Sequence, residues 1–292
     1  MKNILATGAV GLVGSRFLEL YADQYHVDNL DIVSGVDITN LDAVKQFVSE
    51  HPADTLIHLA AFTDTNKAFA ETGDQNGLCY RVNVTGTKNI ADVCKAKGIH
   101  LVHISTDFVF DGSKDTPYTE DDAMNPLEWY GKTKQMAEEV VKNSGADYTI
   151  LRIAYPYRAN FAGKPDLIKK IRAGLEAGTL YPQFTDTTIT PTFIDDIARA
   201  FAKVIEAKPK GIFHITGSSS LSPYELARKV ATTYGFDPNM VKEGSLTEYL
   251  KTASRPFARN VAMSNAKAVK ELGLTFADID TALAEIKKQQ GS

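Results

Sequence analysis

The chain has little cysteine and no long apolar run, and its histidines are scattered. Cys79 and Cys94 are the two cysteines among 292 residues, and their spacing fits neither a disulfide framework nor a metal motif. The six histidines form no metal-like cluster either. No apolar stretch approaches the roughly 20 residues that a transmembrane helix needs. The N-terminus leads directly into an apolar strand pattern, so we expect no signal peptide. We therefore expect a cytoplasmic protein with no metal and no membrane partner.

An excess of basic residues is also missing. Lysine and arginine number 32 against 36 aspartate and glutamate, which gives a formal net charge of −4 at pH 7. Proteins that bind nucleic acid through its phosphates usually carry a basic surface, so we expect no nucleic-acid partner. Hydrophobic residues make up 43% of the chain and charged residues 23%. These values are typical of a globular protein with one large domain or two closely joined ones.

A glycine-rich turn, TGAVGLVG at residues 7–14, is the first motif in the chain. An apolar strand pattern precedes it and a helical pattern follows. Glycines let the backbone approach a pyrophosphate, and a helix start offers free N–H groups and a positive dipole end. A turn with glycines that merely pack is the alternative for this spacing on its own. The predicted dinucleotide-binding residues are Gly8, Gly11, Leu12, Val13 and Gly14.

A carboxylate follows the second predicted strand, residues 25–30. Asp31 stands about 20 residues after the glycines, where this fold places the acid that holds the adenosine ribose. Asp28 is the alternative if the strand ends earlier. A carboxylate there repels a 2′-phosphate, and no arginine lies between Arg16 and Arg81. Of the two cofactors NAD(H) and NADP(H), NAD(H) is therefore favoured. The candidates for contact with the adenine are Asp37 and Ile38.

Tyr130 and Lys134 lie four residues apart in a predicted helix over residues 129–143. Residues at this spacing share one face of a helix, so the ammonium can lie beside the phenol. A nearby cation favours the phenolate and lowers a pKa that is otherwise about 10. Thr106, at the end of another predicted strand, is placed to hold a carbonyl oxygen near the phenol. Tyr-x-x-x-Lys is common on amphipathic helices, so its weight here comes from the glycine turn.

Strand and helix patterns alternate through the first half of the chain and predict an α/β fold. The strand candidates are 3–6, 25–30, 55–59, 100–105 and 148–153. The helix candidates between them are 11–22, 41–50, 77–97 and 129–143. Continuous apolar strands in repeated βα units predict a Rossmann-type, doubly wound parallel sheet. We expect a dinucleotide-binding domain at 1–155, with 188–216 packing back onto it, and a smaller C-terminal substrate-binding lobe at 156–187 and 217–292.

Together the motifs resemble the extended short-chain dehydrogenase/reductase family over essentially the whole chain. The matching segments are TGAVGLVG at 7–14, VDITN at 36–40, HLAAFT at 58–63, VNVTGTKNI at 82–90, HISTDFVFDG at 103–112, YGKTK at 130–134, LRIAYPY at 151–157 and ITPTFIDDIARA at 189–200. Within that family the pattern is most similar to the dTDP-4-dehydrorhamnose reductases. The resemblance implies an NAD(P)H-dependent oxidoreductase that reduces the 4-keto group of a nucleotide-linked 6-deoxy sugar. It also implies a place in dTDP-rhamnose biosynthesis and a possible homodimer.

The resemblance also implies roles for individual residues. Tyr130 would donate a proton to the carbonyl oxygen, and Thr106 would hydrogen-bond that oxygen. Lys134 would bind the nicotinamide ribose and tune Tyr130, with Asn83 in support. The further implied cofactor contacts are Ala60, Ala61, Thr63 and Tyr155. The implied substrate contacts are Lys67, Thr106, Asp107, Phe108, Tyr155, Asn160 and Phe161.

Some residues depart from the reductase pattern and leave alternatives open. Asn66 and Phe69 stand where carboxylates are expected, and Tyr155 stands where tryptophan is common. Phe108 occupies the position of an extra acid/base carboxylate in the nucleotide-sugar dehydratases, which argues against dehydration. A nucleotide-sugar epimerase and a reductase of a smaller ketone remain alternatives. A catalytically silent NADP-binding regulatory subunit, like that of methionine adenosyltransferase, is another.

Overall fold

A six-stranded parallel sheet forms the centre of the computed structural model, which describes residues 1–291. The strands are β1 (Lys2–Thr7), β2 (Tyr25–Asn29), β3 (Thr55–His58), β4 (His100–Thr106), β5 (Tyr148–Ile153), β6 (Pro156–Tyr157), β7 (Gln183–Phe184), β8 (Thr192–Phe193), β9 (Gly211–Ile215) and β10 (Glu243–Gly244). The order across the sheet is β2-β1-β3-β4-β5-β9, and every neighbouring pair is parallel. The predicted α/β class with a Rossmann-type parallel sheet is confirmed.

Helices connect the strands and cover the sheet. They are α1 (Leu12–Tyr21), α2 (Leu41–Glu50), α3 (Thr65–Ala70), α4 (Leu78–Tyr80), α5 (Thr87–Lys97), α6 (Trp129–Asn143), α7 (Leu167–Glu176), α8 (Ile194–Ala207), α9 (Pro223–Tyr234), α10 (Leu246–Tyr249), α11 (Ala266–Leu272) and α12 (Ile279–Gly291). A π-helical turn, Arg81–Gly86, joins α4 to α5 and interrupts the single helix predicted there. Within residues 1–291, each helix is too short or too polar to cross a membrane.

Both faces of the sheet are buried, as a doubly wound arrangement requires. Phe17 of α1 and Phe201 of α8 pack on one face, with ring centroids 5.9 Å apart. Val44, Ile90 and Val141 bring α2, α5 and α6 against the other face. All residues of β3 and β4 are buried, which explains why these strands read as continuous apolar runs rather than as alternating patterns.

The helix ends follow local signals that are visible in the sequence. Gly98 and Gly273 adopt left-handed backbone conformations after α5 and α11, where glycine costs least. Ser222 caps α9 by accepting from the Glu225 N–H, and the Glu225 carboxylate accepts from the Ser222 N–H. Such caps satisfy backbone groups that the helix itself leaves without partners.

A second apolar core lies beside the sheet and is built from α7, α9 and α12. Ile171, Val230 and Leu283 are among its fully buried members. Two small parallel sheets, β6 with β8 and β7 with β10, accompany this core. Residues 188–216, which include β8, supply α8 to the central core and β9 to the edge of the central sheet.

Candidate active site

The glycine turn lies where the chain reverses direction across the sheet, between β1 and β3. Gly8 has φ +67°, a conformation that favours glycine, and an added Cβ would stand 2.8 Å from the Ala60 nitrogen. The Ala60 N–H donates to Thr7 Oγ1 at 2.9 Å. The two strand ends are thus bonded side by side, at the switch point where such sheets bind ligands.

Helix α1 begins directly after this turn and presents its free N–H groups. Gly11 is the N-cap and provides no side-chain cap, and the first turn holds no acidic residue. The N–H groups of Leu12, Val13 and Gly14 are therefore available to an anion, with the positive end of the helix dipole behind them. A Cβ at Gly14 would stand 2.6 Å from the Ala9 carbonyl oxygen, so the close fit requires glycine.

The Asp31 carboxylate lies at the glycine turn. It accepts from the Gly8 N–H at 2.8 Å and from the Ile32 N–H at 2.6 Å. Asp31 stands two residues beyond the end of β2 and caps the short turn Ile32–Ser34. The rival carboxylate, Asp28, pairs with His26 at 3.3 Å instead. A glycine cradle, free helix N–H groups and an adjacent carboxylate fit the pyrophosphate and ribose of a dinucleotide.

The two adenine candidates differ in accessibility. Asp37 is exposed, and its carboxylate accepts from the Thr39 N–H at 2.8 Å. Ile38 is buried, and its side chain fills the space that a Cβ at Gly86 would need. Asp37 therefore lies at the surface, whereas Ile38 belongs mainly to the core. Ala61 and Thr63 follow Ala60 in the loop after β3, with Thr63 exposed.

Tyr130 and Thr106 are brought together where β4 ends and α6 begins. The Thr106 side chain lies close enough to the Tyr130 phenol to act on its pKa. The Phe108 ring packs edge-on against Tyr130 with centroids 5.3 Å apart. An added Cβ at Gly131 would overlap the Phe108 carbonyl oxygen, so glycine allows this close approach of helix and turn.

The electrostatics of Tyr130 differ from the expectation. Burial, followed by the Asp107 carboxyl, raises the pKa of Tyr130 well above its usual value, and the neighbouring Thr106 side chain opposes this. The Lys134 ammonium instead donates to the Ile104 carbonyl oxygen at 2.7 Å. Burial lowers the pKa of Lys134 to about 8. The predicted lowering of the Tyr130 pKa is therefore wrong for this structure, because burial dominates.

Asn83 lies in the π-helical turn and links three segments. Its Oδ1 accepts from the Phe62 N–H at 2.8 Å, and its Nδ2 donates to Thr133 Oγ1 at 3.0 Å. The bonds of Asn83 thus run to the loop after β3 and to the residue before Lys134. Within residues 1–291, the Asn83 side chain reaches the neighbour of Lys134 and not the ammonium itself. A π turn marks functional sites frequently, but no sequence pattern indicates one here.

Besides Thr106, two of the predicted substrate residues, Asp107 and Phe108, lie beside Tyr130, and Tyr155 lies near Asp107. Asp107 is 2% exposed and lies beside Thr106, and Phe108 covers the Tyr130 ring. Tyr155 has φ 43°, a left-handed conformation that is uncommon for a residue other than glycine. Such a conformation persists only where the surroundings hold it, and this one turns the chain at the end of β5.

The other three substrate candidates lie elsewhere. Lys67 is exposed on α3 and pairs with Asp64 at 3.7 Å. Asn160 and Phe161 line a cleft of about 960 Å³ together with Val10 of the glycine turn. The Asn160 side chain donates to the carbonyl oxygen of Gln289, in α12, at 3.3 Å. The structure therefore places these two residues beside the glycine turn rather than in the Tyr130 cluster.

A buried ion pair at the start of α6 was not anticipated as part of the site. Arg255 Nε lies 2.8 Å from Glu128 Oε2, and Arg255 Nη1 donates to Thr65 Oγ1 and Asn66 Oδ1. The pair ties Arg255, in the run Ser254-Arg255-Pro256, to α3 and to the start of α6. Across residues 1–291, there is no group of three or more histidine, cysteine, aspartate or glutamate residues arranged for a metal ion.

Known proteins resemble this chain over most of its length. "Probable low-salt glycan biosynthesis reductase Agl14" of Haloferax volcanii is 29% identical, over 96% of this chain and 96% of its own. The dTDP-4-dehydrorhamnose reductase of Mycolicibacterium smegmatis is 31% identical, over 87% of this chain and 76% of its own. The crystal structure of dTDP-4-dehydrorhamnose reductase from Bacillus anthracis in complex with NADP is 27% identical. It has a TM-score of 0.88 and covers 99% of this chain and 100% of that one.

The family assignment rests on a match along the described chain. The model of the RmlD substrate binding domain matches residues 1–291. The central parallel sheet, the glycine turn and the Tyr-x-x-x-Lys helix agree with this match. The chain therefore belongs to the RmlD substrate binding domain family, among the extended short-chain dehydrogenases/reductases.

Proposed function

We propose that this protein is a nicotinamide-dependent reductase of a nucleotide-linked 6-deoxy-4-keto sugar, with dTDP-4-dehydrorhamnose as the expected substrate. The observation that carries the proposal is the meeting of Thr106 and Tyr130 at the carboxyl end of β4, with Lys134 one helical turn away. The names of the curated relatives support the same reaction class. In this proposal, residues 156–187 and 217–292 form the lobe that covers the sugar.

The protein's own groups are arranged for proton donation. Because the pKa of Tyr130 is raised by burial and by Asp107, the phenol stays protonated near neutral pH and can give its proton to the carbonyl oxygen. Thr106 holds that oxygen in place. With a pKa of about 8, Lys134 is largely charged at pH 7 and stabilises the phenolate that remains. A reduced nicotinamide cofactor, which the glycine turn and Asp31 would hold, would supply the hydride for the carbonyl carbon.

We further propose that NADH is preferred over NADPH. The support comes from the Asp31 carboxylate at Gly8 and from the exposed apolar side chains of Ile32 and Val33 beside it. None of these groups offers a positive charge to a 2′-phosphate. The Bacillus anthracis relative was crystallised with NADP, so the preference calls for a direct test.

Replacing Asp31 tests this cofactor preference. Asp31→Ala removes the repulsion between this carboxylate and the 2′-phosphate of NADPH. We expect the ratio of kcat/KM for NADPH to that for NADH to rise by about tenfold or more, because a lost repulsion of about 1.4 kcal/mol corresponds to a factor of ten. Asp28→Ala is the matched control and should leave the ratio unchanged. A ratio that moves only in Asp28→Ala would transfer the ribose role to that residue.

Replacing Tyr130 tests the reaction itself. Purified protein is mixed with dTDP-4-keto-6-deoxy-L-lyxo-hexose, and the oxidation of NADH and, separately, of NADPH is followed. We expect Tyr130→Phe to lower turnover by roughly 10²–10⁴-fold, the usual contribution of a positioned acid, while cofactor binding persists. Equal turnover in the variant would remove Tyr130 from the mechanism.

The same assay separates the alternative functions. Cofactor binding without oxidation by the wild-type protein would favour a regulatory subunit. Inversion of the sugar without net oxidation of the cofactor would identify an epimerase.

A further inference from the structure

Asp107 is a buried carboxyl group whose bonding is incomplete. Its side chain is 2% exposed, and Oδ1 accepts from the Thr106 hydroxyl at 2.8 Å. The other oxygen, Oδ2, is buried and has no hydrogen-bond partner within residues 1–291. Buried carboxylates are normally paired or fully hydrogen-bonded, so a half-satisfied one inside a reaction site requires an explanation.

The groups around Asp107 do not neutralise it. Tyr130 faces it from α6 and Tyr155 from the end of β5. The charges of Glu128 and Arg255 also affect the pKa values of these tyrosines. These two residues are paired with each other at 2.8 Å and not with Asp107. Burial therefore raises the pKa of Asp107 from 3.8 to about 7, opposed only by hydrogen bonds from Thr106 and the backbone. Near neutral pH the group carries a proton in a large part of the molecules.

We propose that Asp107 is the proton reservoir that returns a proton to Tyr130, through the Thr106 hydroxyl, after each turnover. This inference rests on the proposed reductase function. Asp107 acts through Thr106 and is therefore a positioning and relay residue rather than one that touches the carbonyl.

The transfer balances without any further reactant. Tyr130 is a phenolate once it has given its proton to the carbonyl oxygen. The Thr106 O–H bond then breaks as its proton passes to the phenolate oxygen. The Asp107 O–H bond breaks as its proton passes to Thr106 Oγ1. The products are neutral Tyr130, neutral Thr106 and an Asp107 carboxylate, which regains a proton from water before the next cycle.

The direction of this transfer follows from the two environments. The same burial that keeps Asp107 partly protonated near pH 7 makes the Tyr130 phenolate a much stronger base. Groups whose environments push their pKa values apart can exchange a proton in a defined direction. Thr106 Oγ1 lies 2.8 Å from Asp107 Oδ1 and beside the Tyr130 phenol, so it is the single carrier needed between them. Lys134 is a poorer donor to Tyr130, since its ammonium is held by the Ile104 carbonyl oxygen.

The first test separates the initial turnover from later ones. In Asp107→Asn, Tyr130 begins protonated, so the first turnover should proceed at close to the wild-type rate. Later turnovers should slow by about tenfold to 10²-fold, because the variant lacks the acid that reprotonates the Tyr130 phenolate. A purely structural defect would slow all turnovers equally, and that result would overturn the relay. Glu128→Gln is the matched control. It replaces a neighbouring buried carboxyl that lacks the bond to Thr106, so it should slow all turnovers to the same degree.

The pH profile gives an independent readout. The wild-type rate of later turnovers should fall as pH rises through about 7, where Asp107 loses its proton. In Asp107→Asn this break should disappear, and in Asp107→Glu a break should return. A profile that keeps the same break in Asp107→Asn would assign it to another group and overturn the proposal.

Stability measurements test the buried acid without any activity. An acid whose pKa is raised in the folded state weakens that state as pH rises from the ordinary pKa to the raised one. The melting temperature of wild type should therefore fall relative to that of Asp107→Asn between pH 3.8 and about 7, and the difference should then level off. A constant difference would show that Asp107 is an ordinary carboxylate.

If the wild-type protein reduces no nucleotide-linked keto sugar, the proposed function fails. If it does and Asp107→Asn behaves like wild type, the relay alone fails.

Discussion

At the scale of single residues, Gly131 controls the distance between Tyr130 and Thr106. A methyl group at this position would overlap the Phe108 carbonyl oxygen, which belongs to rigid backbone next to Thr106. Gly131→Ala must therefore push the start of α6 away from the turn. We expect kcat to fall by about 10²-fold, the usual effect of a 1 Å misplacement, and stability to fall by about 1–3 kcal/mol from overpacking.

The matched control for this substitution is Gly291→Ala, where an added Cβ meets nothing within 4 Å. Turnover assays and denaturant unfolding of both variants measure the two effects. A Gly131→Ala protein with wild-type kcat would show that the helix can shift without disturbing the site.

Residue identities could be predicted from the sequence, but their electrostatics could not. Tyr130 and Lys134 were singled out by their spacing together with the glycine turn, and Thr106 by its place at a strand end. The structure places Tyr130 beside Thr106. The sign of the Tyr130 pKa shift depends on burial and on Asp107, which adjoins it only after folding. Pair spacing along a helix carries no information about either contribution.

At the scale of elements, strands and helices with strong patterns were predicted almost to the residue. Helix α6 and strand β5 have the predicted bounds, because their apolar positions face one large core. The π turn Arg81–Gly86 was missed, since it depends on Asn83 bonding to Phe62 in a distant loop. The strand pairs of two residues each are too short to carry any periodicity.

Helix α6 also shows how one element can order several charges. Tyr130, Lys134 and Glu138 follow one another at four-residue spacing and are all buried. Arg152 of β5 holds Glu138 through two bonds of 2.8 Å, so the helix is fixed to the sheet by a buried ion pair. Glu138 opposes the loss of charge that burial imposes on Lys134. The Glu138 carboxylate thus favours the charged form of Lys134 at a buried position.

At the scale of the whole molecule, polar bonds connect α1 and α8, beside the central sheet, to Arg158 after β6 and to α12. Arg158 donates to Ser15 at 3.0 Å and to Glu19 at 2.7 Å, both on α1. Arg16 binds Asp195 of α8 through two bonds, and Gln289 of α12 donates to the same carboxylate. These bonds surround the cleft beside the glycine turn. Because they join segments far apart in sequence, no local pattern predicts them.

Replacing Arg158 and replacing Glu19 should lower the free energy of unfolding by different amounts. Arg158 is 4% exposed, whereas Glu19 is 46% exposed. Glu19→Ala leaves a buried guanidinium without its carboxylate and should cost about 1–2 kcal/mol of unfolding free energy, less than for a fully buried pair because water reaches Glu19. Arg158→Met leaves an acid that water can solvate, so we expect a smaller loss.

Glu176→Ala, which breaks the exposed Arg172 pair, should cost under about 0.5 kcal/mol. Denaturant unfolding of the three variants measures the order. Equal losses in Glu19→Ala and Glu176→Ala would mean that apolar contacts, and not this pair, hold α1 to the segment after β6.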